Sequence, residues 1–383
     1  MHSLDVRQKN MNTCIYTKTQ FEDAAGEHIL QNFLGARWTD STIMCNSIQQ
    51  DFGDTIDREF SRRLDGFRTV LGTKGGRGGT PSPIKQIQDQ KGNKYHLTSG
   101  GQPEIAKPII QVDYRENGSA DVRITLGHKG QWGWALKILR EEHPRLNIDE
   151  KSFEENSEKR TDYLDSPVKL SFGIGGQDFF RGACKALFNL LGVSEPEVVL
   201  LPELDRMREF IVSGTGDSSE FIGWCTQLEP FSIPRLGPHD HFISVWSFDK
   251  RITGFIQLFG EIPFVVELAS EIECQNFCHT YLVNPHRDTT PSEHRDIKLD
   301  PSCLPSFSDC PHIPGKEVWA AHQTRLERFF REYQTRATRN VMETIISDAL
   351  GPIDGRVITK EDTDKIHAGI MKLVKSKLGV PSG

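Results

Sequence analysis

The sequence predicts an α+β fold: a strand–strand–helix unit at the amino end, a larger α+β region with an antiparallel sheet, and a long amphipathic helix near the carboxyl end. Three observations carry that expectation. Short strand-like pieces over 14–18 and 27–30 precede a polar helical stretch over 46–64 that sets Ile48, Phe52, Ile56 and Phe60 on one face. Apolar runs over 240–248, 252–259 and 263–268 are joined by tight turns, the first at Asp249-Lys250, as in an antiparallel meander. Residues 317–349 repeat apolar side chains at helical spacing, from Trp319 through Leu326, Phe329 and Tyr333 to Ile345, with arginines on the other face.

The elements between these landmarks follow in order. The segment GTKGGRGGTPSP holds too much Gly and Pro for a regular element and is expected to be a linker over 72–83. Hairpin patterns fill 84–127, and helices are expected over 132–142 and 177–191, the second carrying Phe180, Cys184, Leu187, Phe188 and Leu191 as a core face. The expected layout is therefore 1–71, a linker over 72–83, an α+β domain of unassigned role over 84–316, and a helical region over 317–383.

A chain of 383 residues exceeds what one core supports, so at least two are expected. With 36% hydrophobic and 26% charged residues it has the make-up of a soluble globular protein. Its longest apolar stretches, such as 262–269, fall far short of the roughly twenty residues a membrane span requires, so no membrane role is expected. The opening MHSLDVRQKN is too polar for a signal peptide, and eight scattered cysteines suit reduced thiols, so the expected location is cytoplasmic. A net charge of −7 speaks against phosphate binding by the chain as a whole. Locally the balance reverses: Arg58, Arg62, Arg63, Arg68, Lys74, Arg77 and Lys85 face only Glu59 and Asp65.

The richest text is CIYTKTQFEDAAGEHILQNFLGARWTDSTIMCNSIQQDFGDTID. It resembles the HNH (ββα-metal) endonuclease family, whose pattern runs CxxC, EHIxPxxLGG and CxxCNxxFGxxID. Cys14, Glu27-His28-Ile29, Leu34-Gly35, Cys45, Phe52-Gly53 and Ile56-Asp57 stand where that pattern puts them. The resemblance implies a metal-dependent endonuclease hydrolysing phosphodiester bonds in DNA. His28 would be the general base, imidazole having its natural pKa near working pH. Gln49, standing where the family has Asn, would assist it. Glu27 and Asp57 would hold Mg²⁺ or another divalent cation, and Arg58, Arg62 and Arg63 would grip the flanking phosphates.

The departures bear on chemistry. Thr17 and Ile48 replace two of the family's four zinc cysteines, so a structural zinc is not expected. Gln31 replaces the family's Pro, and Ala36 replaces the second Gly of Leu-Gly-Gly. Two outcomes stay open: a zinc-free unit held by packing of Ile15, Ile43, Ile48 and Phe52, or an inactive nucleic-acid or partner binding protein that keeps a degenerate HNH shell. A homo-oligomer or a regulatory partner is left open as well.

His239-Asp240-His241 and the dispersed Cys274, Cys278, His279, Cys303, Cys310 and His312 contain metal-ligand types, but their spacing does not match a usual site. Trp132 and Trp134 are spaced so that one is buried and the other exposed.

Overall fold

Ile15 and Tyr16 are buried in a turn, not in the strand expected over 14–18. Consecutive apolar residues on a strand would point to opposite faces. The turn sends both inward, closed by Lys18 N–H donating to Cys14 O (2.8 Å) and Cys14 N–H to Thr19 O (2.9 Å). It joins β1 (Asn12–Thr13) to β2 (Gln20–Phe21) as an antiparallel pair. This computed structural model describes residues 11–22, 24–90, 92–116, 119–156, 168, 170, 172–228, 231–237, 239–285, 292–351 and 357–377.

β3 (Glu27–His28) pairs antiparallel with β4 (Thr39–Asp40) and ends two residues earlier than expected, because Ile29 and Leu30 are both buried and cannot share one face of a strand. The helical stretch begins as α1 (Asn46–Phe52), passes through a π-helical turn at Gly53–Asp57, and continues as α2 (Arg58–Leu71). It outruns the expected end at 64 because Phe67, Val70 and Leu71 continue the buried stripe of Phe52, Ile56, Phe60 and Leu64.

Next come the expected hairpins. β5 (Ile84–Gln88), β6 (Lys94–Thr98) and β7 (Gln102–Ile105) form a three-stranded meander; β8 (Ile109–Tyr114) and β9 (Ala120–Thr125) form a separate ribbon. α3 (Trp132–Glu142) and α4 (Glu150–Glu155) follow, with Trp132 packed on Phe153 and Trp134 exposed. α5 (Gln177–Ser194) is buried around most of its circumference, and α6 (Asp205–Ser213) packs beside it.

The meander forms as expected but is the middle of a wider sheet. β10 (Ile222–Trp224), β11 (His241–Phe248), β12 (Arg251–Leu258), β13 (Ile262–Ala269), β14 (Cys278–Asn284) and β15 (Ser292–Arg295) are all antiparallel, in the order β10-β13-β12-β11-β14-β15. Both residues of the Asp249-Lys250 turn have positive φ (50° and 55°), the twist a two-residue hairpin requires. β11–β13 are buried on both faces. Ile243, Val245, Ile256 and Val266 belong to the core beneath α5, while Phe242, Trp246, Phe255 and Val265 pack with Cys225, Leu304, Phe307 and Cys310. The chain ends in α7 (Lys316–Leu350) and α8 (Lys360–Lys377). Among the described residues no helix is long and apolar enough to cross a membrane.

The chain divides into two units that keep the boundary expected within 72–83, at Pro81/Ser82, but not the others. One comprises Met1–Pro81 with Phe172–Tyr333, the other Ser82–Ser171 with Gln334–Gly383. The first 71 residues are no separate domain, because Phe52, Ile56, Phe60 and Phe67 share one core with α5 and the six-stranded sheet. The domain expected over 84–316 and the helix expected to start a third region are each cut by this division.

Candidate functional site

The π-turn before α2 and the short β3 bring Asp57 and Glu27 to the same face of α5. There, Lys185 is fully buried, and its Nζ lies 2.7 Å from Glu27 Oε1 and 2.6 Å from Asp57 Oδ2. The remaining carboxylate oxygens are also engaged by donors. Gln49 Nε2 donates to Glu27 Oε2 (3.1 Å), and Gln31 Nε2 donates to Asp57 Oδ1 (3.3 Å) and to Gly182 O (3.0 Å). One helical turn beyond Lys185, Asn189 Nδ2 donates to His28 O (3.0 Å) and Glu27 Oε1 (3.4 Å), and Tyr16 OH donates to Asn189 Oδ1 (2.6 Å).

The electrostatics follow from this packing. Burial alone would depress the Lys185 ammonium, but Asp57 and Glu27 outweigh it and hold its pKa above the usual lysine range. Burial, then the charges of Glu27 and Asp57, push the Tyr16 phenol well above its ordinary value, so it remains a hydrogen-bond donor. Lys185 also stands 5.4 Å over the Phe52 ring, which adds a cation–π contact.

His28 follows Glu27 on β3 and is half-buried. Its Nε2 lies 3.1 Å from Asn32 Nδ2. Burial, then the charges of Arg77 and Lys185, lower its pKa below the ordinary imidazole value, against smaller opposing effects of Asp57 and Glu293. The ring is therefore neutral at pH 7 and able to accept a proton.

Arg77 belongs to the glycine-rich segment over 72–83, which holds no regular element, as expected, but is packed against the site at its first glycines. Gly76 N–H donates to Asn32 O (2.8 Å), and a Cβ on Gly76 would stand 2.3 Å from Ala36 O. Only glycine permits so close an approach. Gly35, with φ of 90°, makes the matching turn, and a Cβ there would meet Pro285 at 2.4 Å. The loop thus carries an exposed guanidinium to the neighbourhood of His28.

The sequence-expected residues are placed unequally. Glu27, His28, Gln49 and Asp57 gather at one place. Arg62 and Arg63 instead turn to Glu59, at 2.6 and 2.9 Å, and hold its carboxyl down at about 2. Arg58 is exposed on the first turn of α2. Lys185, Asn189, Asn32 and the placement of Arg77 escaped the sequence reading. A usable signal existed: Lys185 and Asn189, four apart, are the two strongly polar residues in the otherwise apolar run from Gly182 to Leu191.

A divalent ion shared by Glu27 and Asp57 does not fit these residues, because the Lys185 ammonium stands between the two carboxylates and amide donors meet their other oxygens. Among the described residues no group of three or more His, Cys, Asp and Glu side chains is gathered where it could hold a metal ion. His241 is buried, where its Nδ1 accepts from Phe259 N–H, and burial lowers its pKa to about 3. His279 lies on Glu195 (2.8 Å), Cys274 faces Ser247, and Cys310 is buried near Cys225. Comparison of the chain with protein-family models, with curated proteins and with solved structures found no match.

Proposed function

We propose that this chain is a phosphodiester-hydrolysing endonuclease of the HNH kind, acting on DNA, with His28 as its general base. The observation that carries the reading is a half-buried imidazole on β3 whose pKa is lowered by burial, then by the charges of Arg77 and Lys185. A nucleic-acid phosphate approaching the exposed guanidinium of Arg77 would meet His28 at the same mouth. His28 exchanges its Asn32 contact for a water and takes that water's proton. The water oxygen then bonds to phosphorus, the ester P–O bond breaks, and the leaving oxygen is protonated by solvent. Arg77, with Arg58 farther along, offsets the charge that develops on the phosphate. Gln49 positions Glu27, and Asn189 holds the backbone of His28 through its carbonyl.

Supercoiled plasmid incubated with the full chain tests this reading. The wild type is expected to nick it and His28→Ala to lose nicking while keeping its circular dichroism; equal nicking by both removes His28 from the chemistry. The bridging position of Lys185 favours a second reading, a DNA-binding protein that no longer cuts. Salt-sensitive retention of DNA with no nicking in Mg²⁺, Mn²⁺ or chelator would establish that one instead.

A further inference from the structure

We propose that Lys185 is the resident cation of the Glu27–Asp57 cluster, filling the place a divalent ion would take between two converging carboxylates, and that Gln31 and Gln49 complete a donor cage excluding such an ion. The inference goes beyond the nuclease reading and stands whether or not the chain cuts DNA.

The argument is an account of four oxygen atoms. Glu27 Oε1 and Asp57 Oδ2 both accept from the Lys185 ammonium, Glu27 Oε2 accepts from Gln49, and Asp57 Oδ1 accepts from Gln31. A hard divalent ion is bound by oxygen lone pairs at about 2.0–2.6 Å. Here each of those four oxygens meets an N–H group instead. Lys185 is fully buried, with its ammonium over the Phe52 ring. Its charge is fixed by the carboxylates themselves, because a neutral amine would leave two buried or half-buried anions uncompensated.

The chain's own sequence agrees with this assignment. Gln31 departs from the pattern that the segment otherwise resembles, and that departure supplies an amide donor to Asp57, while Gln49 keeps the amide chemistry of the pattern's Asn and donates to Glu27. Proline at the first position would offer no side-chain donor. The third donor, Lys185, comes from α5, outside the resembling segment, and neutralises one of the two negative charges. The remaining charge is eased by water, since the Asp57 side chain is 26% exposed.

Electron paramagnetic resonance titration of the full chain with Mn²⁺ tests the proposal directly. The wild type is expected to show no Mn²⁺ site that depends on Glu27 or Asp57. Lys185→Met, which keeps an unbranched chain of similar length without the charge, is expected to gain such a site and to lose it again when Glu27→Gln is added. A wild-type site abolished by Glu27→Gln would overturn the proposal, and so would a folded Lys185→Met protein that binds no more Mn²⁺ than the wild type. Should Lys185→Met fail to fold without metal, refolding with and without Mn²⁺ becomes the readout: recovery with the ion alone supports the proposal, and no difference overturns it.

Discussion

The Asn32 side-chain nitrogen Nδ2 stands 3.1 Å from Nε2 of His28 and 3.3 Å from Ala36 O, and the second contact decides which end of the amide faces the ring. An amide oxygen turned that way would face a carbonyl oxygen. Nδ2 therefore donates to both, Nε2 of His28 accepts, and the neutral ring carries its proton on Nδ1. Burial, Arg77 and Lys185 favour the same neutral state.

An NMR titration should accordingly find His28 below its ordinary value of 6.5. Asn32→Ala and Arg77→Gln should each raise that value, because one removes a donor aimed at the basic nitrogen and the other a nearby positive charge. A His28 that titrates at the ordinary value in the wild type, or that responds to neither change, contradicts this geometry.

Urea denaturation reports on the buried ion cluster. Lys185→Met should cost about 3–5 kcal/mol, the usual loss when one partner of a buried ion pair is removed and the other left uncompensated. Adding Glu27→Gln and Asp57→Asn should restore much of that stability, since the three changes together remove every charge. Equal destabilisation by the single and the triple variant would mean that packing, not charge, is what Lys185 provides.

Two glycines give opposite expectations in the same assay. A Cβ on Gly182 would stand 2.6 Å from the Phe60 ring, so Gly182→Ala should cost about 1–3 kcal/mol by overpacking α5 against α2. Nothing lies within 4 Å of a Cβ on Gly53, whose backbone is helical, so Gly53→Ala should stabilise by about 0.4–1 kcal/mol. A reversed order of the two midpoints would contradict the packing described.

Acid should destabilise the protein in two windows. Burial lowers His241 to about 3 and His322 to about 4, and His28 is lowered too. Below the unfolded value of 6.5 the unfolded chain binds protons that the fold refuses, so stability present above 6.5 drains away as the pH falls. Glu59, held at about 2 by hydrogen bonds and charge from Arg62 and Arg63, adds a further loss only below its unfolded value of 4.5. Tm measured by calorimetry should already fall between pH 6.5 and 4.5, less steeply in His322→Gln; a constant Tm over that span would remove the buried neutral histidines from the account.

Much of the local structure was legible in the sequence because its signals are local. The meander over β11–β13 is written in apolar runs and a two-residue turn, α7 in a helical stripe that predicted its ends to within a residue, and Glu27-His28 in adjacent letters on a short strand. β10, β14 and β15 were not, since β14 begins at the Cys278-His279 pair that reads as metal-ligand text and β15 is four polar residues long. Their pairing depends on the neighbouring strand.

By itself the sequence determined which residue types were available to the site and which neighbours share a face, because backbone period and turn chemistry act over a few residues. Only the tertiary structure decided that α5 lies across β3 and α2, that its lysine meets both carboxylates, and that a glycine-rich segment folds back to carry Arg77 toward His28. Those outcomes come from burying apolar surface contributed by segments far apart in the chain. Burial of that kind has no period, so it leaves no local trace to read.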